Sequence, residues 1–283
     1  MQLGIFAKTF TAQGAGPVLK AVRDAGYEAA QFNMACVGLP SMPDEISPKI
    51  ISEIASASKI HGVAIAAVSG TYNMAHPNSA MRADGLRRLG VIIANAKAMG
   101  TNLVTLCTGT RDPDNQWRKH KDNSTLEAWR DMRVEMVKAL TLAQTHGVTL
   151  GIEPELANIV SNAAQAKRLI DELKSPFLRV VLDPANLFEI ETELKCRSII
   201  AEAINELADH IAMVHAKDRN SVGSFVAPGK GVIDFKFFAQ YLKHVGFKGP
   251  MVTHGLSEAE APSVAAFLKS VIACAKLPLN MTA

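Results

Sequence analysis

The strongest constraint on the fold is an end-to-end alternation of short apolar segments with longer amphipathic segments. The short segments are rich in valine, isoleucine and leucine, and the longer ones have the apolar periodicity of helices. The strand candidates are residues 2–6, 29–33, 63–69, 103–107, 148–153, 178–183, 211–215 and 250–254. The helix candidates are residues 17–25, 47–61, 79–99, 124–146, 162–173, 194–208, 235–245 and 258–275. Eight strand–helix units without a linker predict an α/β fold, a single (β/α)8 barrel of the TIM type.

The chain length agrees with this fold. A chain of 283 residues is typical of one barrel, so we predict one domain over 1–283. The alternative is an open doubly wound sheet, which usually has a glycine-rich nucleotide loop after an early strand. Here AKTF follows the first strand, and Gly229-Lys230-Gly231 is too short to match a phosphate loop.

Several helix ends can be read from capping residues. Ser47 precedes Pro48, which is typical of a helix start. Ser124 lies three residues before Glu127, which predicts a capping box at the fourth helix. Helix ends are predicted at the glycines in positions 26, 62, 100 and 147.

Composition argues against several classes of partner. The net charge of +3 is spread along the chain without a basic block, so we expect neither a nucleic-acid nor a membrane partner. We find no signal-peptide pattern and no apolar run of about 18 uncharged residues. The four cysteines lack metal-type spacing, which favours free thiols in a reducing cytoplasm.

Polar residues collect at the carboxyl ends of strands five to eight, where barrel active sites lie. These segments read GIEPE, VVLDPAN, MVHAKDR and MVTHG, and their polar residues are Glu153, Glu155, Asp183, Asn186, His215, Lys217, Asp218, Arg219 and His254.

Four of these residues have the spacing of a metal site. Glu153, Asp183, His215 and His254 lie 30, 32 and 39 residues apart, about one strand–helix unit each time. Each alone could be a helix cap, an ion-pair partner or a core histidine, but all four can converge on one point. Two carboxylates and two imidazoles suit Mn²⁺, Co²⁺, Fe²⁺ or Zn²⁺ better than Ca²⁺. We therefore predict one divalent metal ion.

The chain resembles the sugar-phosphate isomerase/epimerase group of the xylose-isomerase-like barrel superfamily over nearly its whole length. The segments that carry the resemblance are AGYEAAQF, AKAMGTNLVTLCTG, GIEPE, VVLDPAN, HAKDR, PGKGVIDF and the end of strand eight. In this order they are typical of the superfamily, though not of one substrate.

The resemblance implies a metal and a ligand set. In ketose 3-epimerases of the group, one metal, often Mn²⁺, is held by Glu, Asp, His and a second Glu. Glu153, Asp183 and His215 match the first three positions, whereas His254 stands at the fourth. In those epimerases the two glutamates exchange protons with the substrate from opposite sides, so His254 puts a symmetrical exchange in doubt. At the position where these epimerases have a helper histidine, this chain has Asn186. The implied cofactor is Mn²⁺, with Co²⁺, Fe²⁺, Mg²⁺ or Zn²⁺ as alternatives.

The predicted function is isomerisation or epimerisation of a small keto-sugar or sugar derivative through a metal-bound enediolate. Glu153 is the predicted general base, His254 a ligand, acid or both, and Lys217 an auxiliary acid or carboxylate-binding cation. The predicted substrate contacts are Arg219, Asn186, Glu155, His76 and Trp117. Trp117 and the long loop after strand four are expected to form a lid or specificity loop. A homo-oligomer is compatible with the group.

Three alternatives remain open. Because the second glutamate is missing, a metal-dependent decarboxylase or lyase acting on a 3-oxo sugar acid or keto-polyol is the main one. A DNA-repair endonuclease of the superfamily would need a three-metal cluster, yet strands three and four end in Ser69-Gly70 and Cys107-Thr108. The third alternative is a catalytically inactive sugar-binding barrel.

Overall fold

The predicted closed parallel barrel is confirmed by the computed structural model, which describes residues 1–275. Its strands are β1 (Leu3–Phe6), β2 (Ala29–Phe32), β3 (Ala64–Ser69), β4 (Leu103–Leu106), β5 (Thr149–Ile152), β6 (Leu178–Leu182), β7 (Ile211–Ala216) and β8 (Met251–Thr253). Each strand pairs in parallel with the next along the chain, and β1 pairs with β8 to close the barrel.

One helix follows each strand, on the outside of the barrel. The helices are α1 (Ala15–Asp24), α2 (Pro48–His61), α3 (Ser79–Ala96), α4 (Leu126–His146), α5 (Ala163–Leu173), α6 (Glu193–Leu207), α7 (Phe235–His244) and α8 (Ala261–Cys274). Their apolar faces pack on the strands in one large buried cluster. Among residues 1–275, no helix combines the length and apolar character needed to cross a bilayer.

A second, smaller apolar cluster lies among the strands themselves and includes Leu103, Val181 and Met213. A Cβ added to Gly151 would lie 2.8 Å from Val181 Cγ2 and 3.2 Å from Leu103 Cδ1. Gly151 therefore leaves the space that these larger side chains fill. The site of Glu153 lies just beyond this apolar layer, at the carboxyl ends of the strands.

The predicted start of α4 is wrong by one residue. Thr125 is the N-cap, and its hydroxyl accepts a hydrogen bond from the Ala128 N–H at 3.2 Å. Ser124 instead ends a 3₁₀ turn, and its hydroxyl donates to the Lys121 carbonyl at 3.4 Å. Because the Ser124 hydroxyl is bonded within the turn, the next residue, Thr125, caps the helix. The predicted Ser47 cap is confirmed.

The last predicted helix is divided in two. A 3₁₀ turn covers Glu258–Glu260, and α8 begins only at Ala261, with a proline in its first turn. Ser257 and Glu260 form a capping box there.

The sequence did not predict a small antiparallel ribbon after β7, formed by Asp218–Arg219 and Phe225–Val226. The buried Asp218 carboxylate accepts four backbone N–H bonds, from residues 219, 229, 231 and 233. A Cβ at Gly231 would lie 2.1 Å from the Arg219 carbonyl oxygen, so the turn requires glycine there. The PGKG segment thus encloses a carboxylate of the chain itself.

The cap at α4 gives a stability prediction. Thr125→Ala should lower the free energy of unfolding by about 1 kcal/mol, because it leaves a helix N–H without its acceptor. The matched variant Ser124→Ala should change it by much less. Urea denaturation of both variants measures the difference, and an equal loss in the two would contradict the assignment of the cap.

Candidate metal centre

The four predicted metal ligands meet at the carboxyl ends of β5 to β8. Glu153, Asp183, His215 and His254 each offer a ligand atom, and these atoms all lie within 4.8 Å of one another. His215 Nδ1 is 3.1 Å from Glu153 Oε1 and 4.0 Å from Asp183 Oδ2. His254 Nε2 is 3.4 Å from Asp183 Oδ2.

These residues fit a divalent metal ion. Asp183 Oδ2 and His254 Nε2 are both buried, and neither has a hydrogen-bond partner among the described residues. Leaving a buried polar atom without a partner costs free energy. Asp183 Oδ2 has an ion-pair partner in Lys217 at 3.2 Å, whereas His254 Nε2 has none when the ring is neutral, so its lone pair indicates a group that it binds. A mixed carboxylate and imidazole set is one that Mn²⁺, Co²⁺, Fe²⁺ and Zn²⁺ accept.

A lysine connects the carboxylates of the site. Lys217 Nζ is 3.2 Å from Asp183 Oδ2 and donates to Asn186 Oδ1 at 2.8 Å. The amide of Asn186 in turn donates to Glu153 Oε1 at 2.8 Å. Both ends of Asn186, a predicted substrate contact, are therefore bonded to site residues.

The charges of this cluster hold each other ionised. Burial alone would lower the pKa of Lys217, but the carboxylates of Asp183 and Glu153 raise it above its usual value. Burial would likewise raise the pKa of Glu153, yet His215 and Lys217 keep it below its usual value. Lys217 does the same for Asp183, whose pKa is also lowered.

His254 is held in the neutral form. Burial lowers its pKa, and the neighbouring His215 lowers it further, while Asp183 opposes the change. A neutral imidazole keeps a lone pair, so His254 is suited to bind a metal ion.

Glu155 lies two residues beyond Glu153 and differs from it electrostatically. Burial raises the pKa of Glu155 to about 7, and the charge of Lys217 offsets this only in part. Near neutral pH this carboxyl is therefore partly protonated and can donate a proton.

Two other predicted substrate contacts are bonded to the backbone. Arg219 donates to the Ala185 carbonyl at 2.6 Å and also to the Gly223 carbonyl, and its guanidinium lies 4.0 Å from the Phe225 ring centre. Both ring nitrogens of His76 are engaged, with the Pro113 carbonyl at 3.0 Å and the Asn78 N–H at 3.0 Å.

A cavity of about 330 Å³ lies over the metal centre, and Glu153, His215 and His254 form part of its wall. Polar residues that the sequence analysis did not single out line it as well: Lys8, Gln31, Asn33, Ser41, Thr71 and Gln116. Lys8 lies two residues after the end of β1, and Asn33 directly follows β2. Both could have been predicted from sequence, because polar residues at the carboxyl ends of barrel strands are candidates for the site.

A second cavity of about 520 Å³ adjoins the first, and both are lined by Thr71, Gln116 and Trp117. Trp117 is 51% exposed and Met81, which lines the second cavity, is 55% exposed. The loop that carries Trp117 is ordered by the Asp112 carboxylate, which accepts from Arg118 and from two backbone N–H groups. The predicted specificity loop is thus folded over the active face.

The barrel and the polar cluster at its strand ends define a (β/α)8 protein whose candidate active site lies at the carboxyl rim. Residues 19–271 match the family model described as xylose isomerase-like TIM barrel. The chain belongs to this family, which confirms the resemblance.

Several proteins that this chain resembles are sugar epimerases. L-ribulose-5-phosphate 3-epimerase UlaE of Escherichia coli K12 is 27% identical over 188 residues, 66% of this chain and 61% of that protein. The chain thus aligns with about three fifths of the length of these curated relatives.

Solved structures of sugar epimerases have a similar fold. The 3-keto-D-glucoside 4-epimerase YcjR from E. coli has a TM-score of 0.77 at 16% identity, covering 95% of this chain and 99% of that one. An L-ribulose 3-epimerase structure has a TM-score of 0.76 at 20% identity, covering 97% and 95%. Both structures show the same fold.

The pKa of Glu155 predicts a pH dependence of stability. Between pH 4.5 and about 7 the folded metal-free protein keeps a proton that the unfolded chain has lost, so stability falls as pH rises through this window. The decline from this group is up to about 3 kcal/mol. Glu155→Gln should remove most of it in urea denaturation at pH 5 and pH 8. The exposed Glu127→Gln serves as control, and the same decline in all three proteins would refute the assignment.

Proposed function

We propose that this chain is a divalent-metal-dependent isomerase or epimerase of a small keto-sugar or sugar derivative. The observation that carries the proposal is the convergence of four ligand atoms within 4.8 Å, two of them buried without a hydrogen bond to a described residue. The cavity above them, about 330 Å³, is large enough for a monosaccharide. The sugar-epimerase relatives support the same reaction class.

Glu153, Asp183, His215 and His254 would hold the metal ion, for which Mn²⁺ is the first choice. Bound there, the ion supplies Lewis-acid stabilisation of the negative charge that develops on a substrate oxygen. Lys217 adds a fixed positive charge next to Asp183, since its raised pKa keeps it protonated.

Glu153 is the proposed general base. Its Oε1 atom receives a hydrogen bond from Asn186 at 2.8 Å and lies 3.1 Å from His215 Nδ1. No described residue donates a hydrogen bond to Oε2, and Glu153 lines the cavity. Oε2 can therefore take the proton from the carbon next to the substrate carbonyl.

Return of the proton needs a second group, because the family's second glutamate is absent. Glu155, which is partly protonated near neutral pH, and Lys217 are acids close to the centre that can supply the proton. His254 lines the cavity, and its predicted role as an acid requires that it does not bind the metal ion at that step. Substrate contacts at Arg219, Asn186, His76 and Trp117 stay predictions.

A second function is favoured by one specific observation. Lys8 lines the cavity and forms no salt bridge with a carboxylate in residues 1–275, so it can bind an acidic substrate group. Decarboxylation of a 3-oxo sugar acid also generates an enediolate, and it needs no second carboxylate in the enzyme. Elimination from a keto-polyol is the related lyase reaction.

Solvent exchange tests the main proposal. The Mn²⁺-loaded protein should move deuterium from D₂O into one or more members of a panel of keto-sugars, as seen by NMR. Glu153→Gln should slow the exchange by about 10²–10⁴-fold, because it removes the base. Glu172→Gln, on an outer helix, is the control and should exchange at the wild-type rate.

Two outcomes decide between the alternatives. Deuterium exchange that continues after exhaustive chelation would rule out the metal-dependent reaction. Release of CO₂ from 3-oxo sugar acids, without exchange into any neutral keto-sugar, would assign the chain to the decarboxylase instead.

The second cavity predicts which sugars are preferred. Trp117 and Met81 expose apolar surface to it, so we expect substrates whose sugar carries an apolar or aromatic substituent. Trp117→Ala should lower kcat/KM about tenfold for an aryl-substituted keto-sugar, through lost stacking, and less for the unsubstituted one. The other tryptophan gives the control Trp129→Phe. Equal losses on both substrates would refute this use of the cavity.

A further inference from the structure

A buried amide joins three strands to one of the metal ligands. Gln31, in β2, is only 7% exposed. Its Nε2 atom donates to Ser69 Oγ in β3 at 3.0 Å and to Thr105 Oγ1 in β4 at 3.1 Å. Its Oε1 atom lies 2.8 Å from His215 Nε2 in β7.

This arrangement gives His215 an acceptor for a proton on Nε2. The amide N–H groups of Gln31 point to the two hydroxyls and its oxygen faces the ring, and a carbonyl oxygen only accepts hydrogen bonds, so His215 Nε2 donates to it. Without a metal ion, Nδ1 can also carry a proton and donate to Glu153 Oε1 at 3.1 Å. When Nδ1 binds a metal ion it must give up that proton, and the ring keeps the one on Nε2 that Gln31 accepts.

The opposite orientation of the amide would have the opposite effect. An NH₂ group facing Nε2 would need a lone pair there, which would put the proton on Nδ1. His215 would then present an N–H to the metal centre and could not bind a metal ion. The affinity of the centre therefore depends on the direction in which the Gln31 amide points.

We propose that Gln31 is a positioning residue that accepts the Nε2–H of His215 and so leaves Nδ1 for the metal ion, with its own amide bonded to Ser69 and Thr105. The inference rests on the proposed metal centre. Partners of this kind are general for metal-binding histidines, and their loss typically weakens metal affinity 10–100-fold.

Direct titration with Mn²⁺ tests the proposal without any substrate. Gln31→Leu keeps similar bulk but removes the acceptor, and should weaken Mn²⁺ binding 10–100-fold in calorimetry or electron paramagnetic resonance. Gln31→Glu restores an acceptor for His215, because the hydroxyls of Ser69 and Thr105 can turn and donate to it. This variant should bind Mn²⁺ at least as tightly as the wild type.

The pair of variants separates positioning from packing. If Gln31→Leu binds Mn²⁺ like the wild type, or if both variants weaken binding equally, the proposal is overturned. Gln116→Leu removes another amide from the cavity wall, away from His215, and should leave the Mn²⁺ affinity unchanged. Thermal unfolding of each variant checks that the barrel is intact.

A second measurement identifies the ring nitrogen that binds the metal ion. In the Zn²⁺-loaded wild-type protein, the ¹⁵N chemical shifts of His215 should show a proton on Nε2 and none on Nδ1. Zinc bound through Nε2, with the proton on Nδ1, would overturn the inference. A wild-type protein that binds neither Mn²⁺, Co²⁺ nor Zn²⁺ would overturn the proposed function instead, whatever the tautomer.

Discussion

Closure of the barrel is the constraint on which the rest of the structure depends. Leu3 pairs with Met251, so the first and last strands become neighbours and none of the eight barrel strands, all within residues 1–275, is left with an open edge. Parallel pairing then places all eight carboxyl ends on one rim. Residues far apart in sequence, such as Glu153 and His254, meet there because each occupies the same height on its own strand.

The net charge at the rim depends on which residue stands at position 254. Two carboxylates, Glu153 and Asp183, would neutralise a divalent ion, and the two imidazoles add no charge when neutral. With Lys217 charged and Glu155 protonated, the centre would carry one excess positive charge, which would favour a substrate that becomes anionic as it reacts. A glutamate in place of His254 would cancel this excess.

The barrel and the convergence of four candidate metal ligands could be predicted from sequence because both follow simple periods. Strand and helix units repeat along the chain, and Glu153, Asp183, His215 and His254 recur about once per unit. Gln31 could not be found in this way. It lies within an apolar strand, and its partners Ser69, Thr105 and His215 are 38, 74 and 184 residues away. The N-cap of α4 was predicted one residue too early for a local reason. Ser124 and Thr125 both carry hydroxyls, and the 3₁₀ turn before them decides which one caps the helix.

The ribbon after β7 was not predicted because its two strands have only two residues each, too few to show an alternating pattern.

The buried carboxylate of Asp218 anchors the backbone that follows β7. Its four hydrogen bonds tie residue 219 to residues 229, 231 and 233, across the base of the intervening loop. The backbone beside Lys217 is therefore fixed by contacts below that loop, while the Phe225 ring, in the ribbon, packs 4.0 Å from its ammonium group. Insertions or deletions within residues 220–224 can alter the outer surface of the protein while the lysine stays beside Asp183. The chain thus offers a place where evolution or protein engineering can change what approaches the rim without changing the charge that acts at its centre.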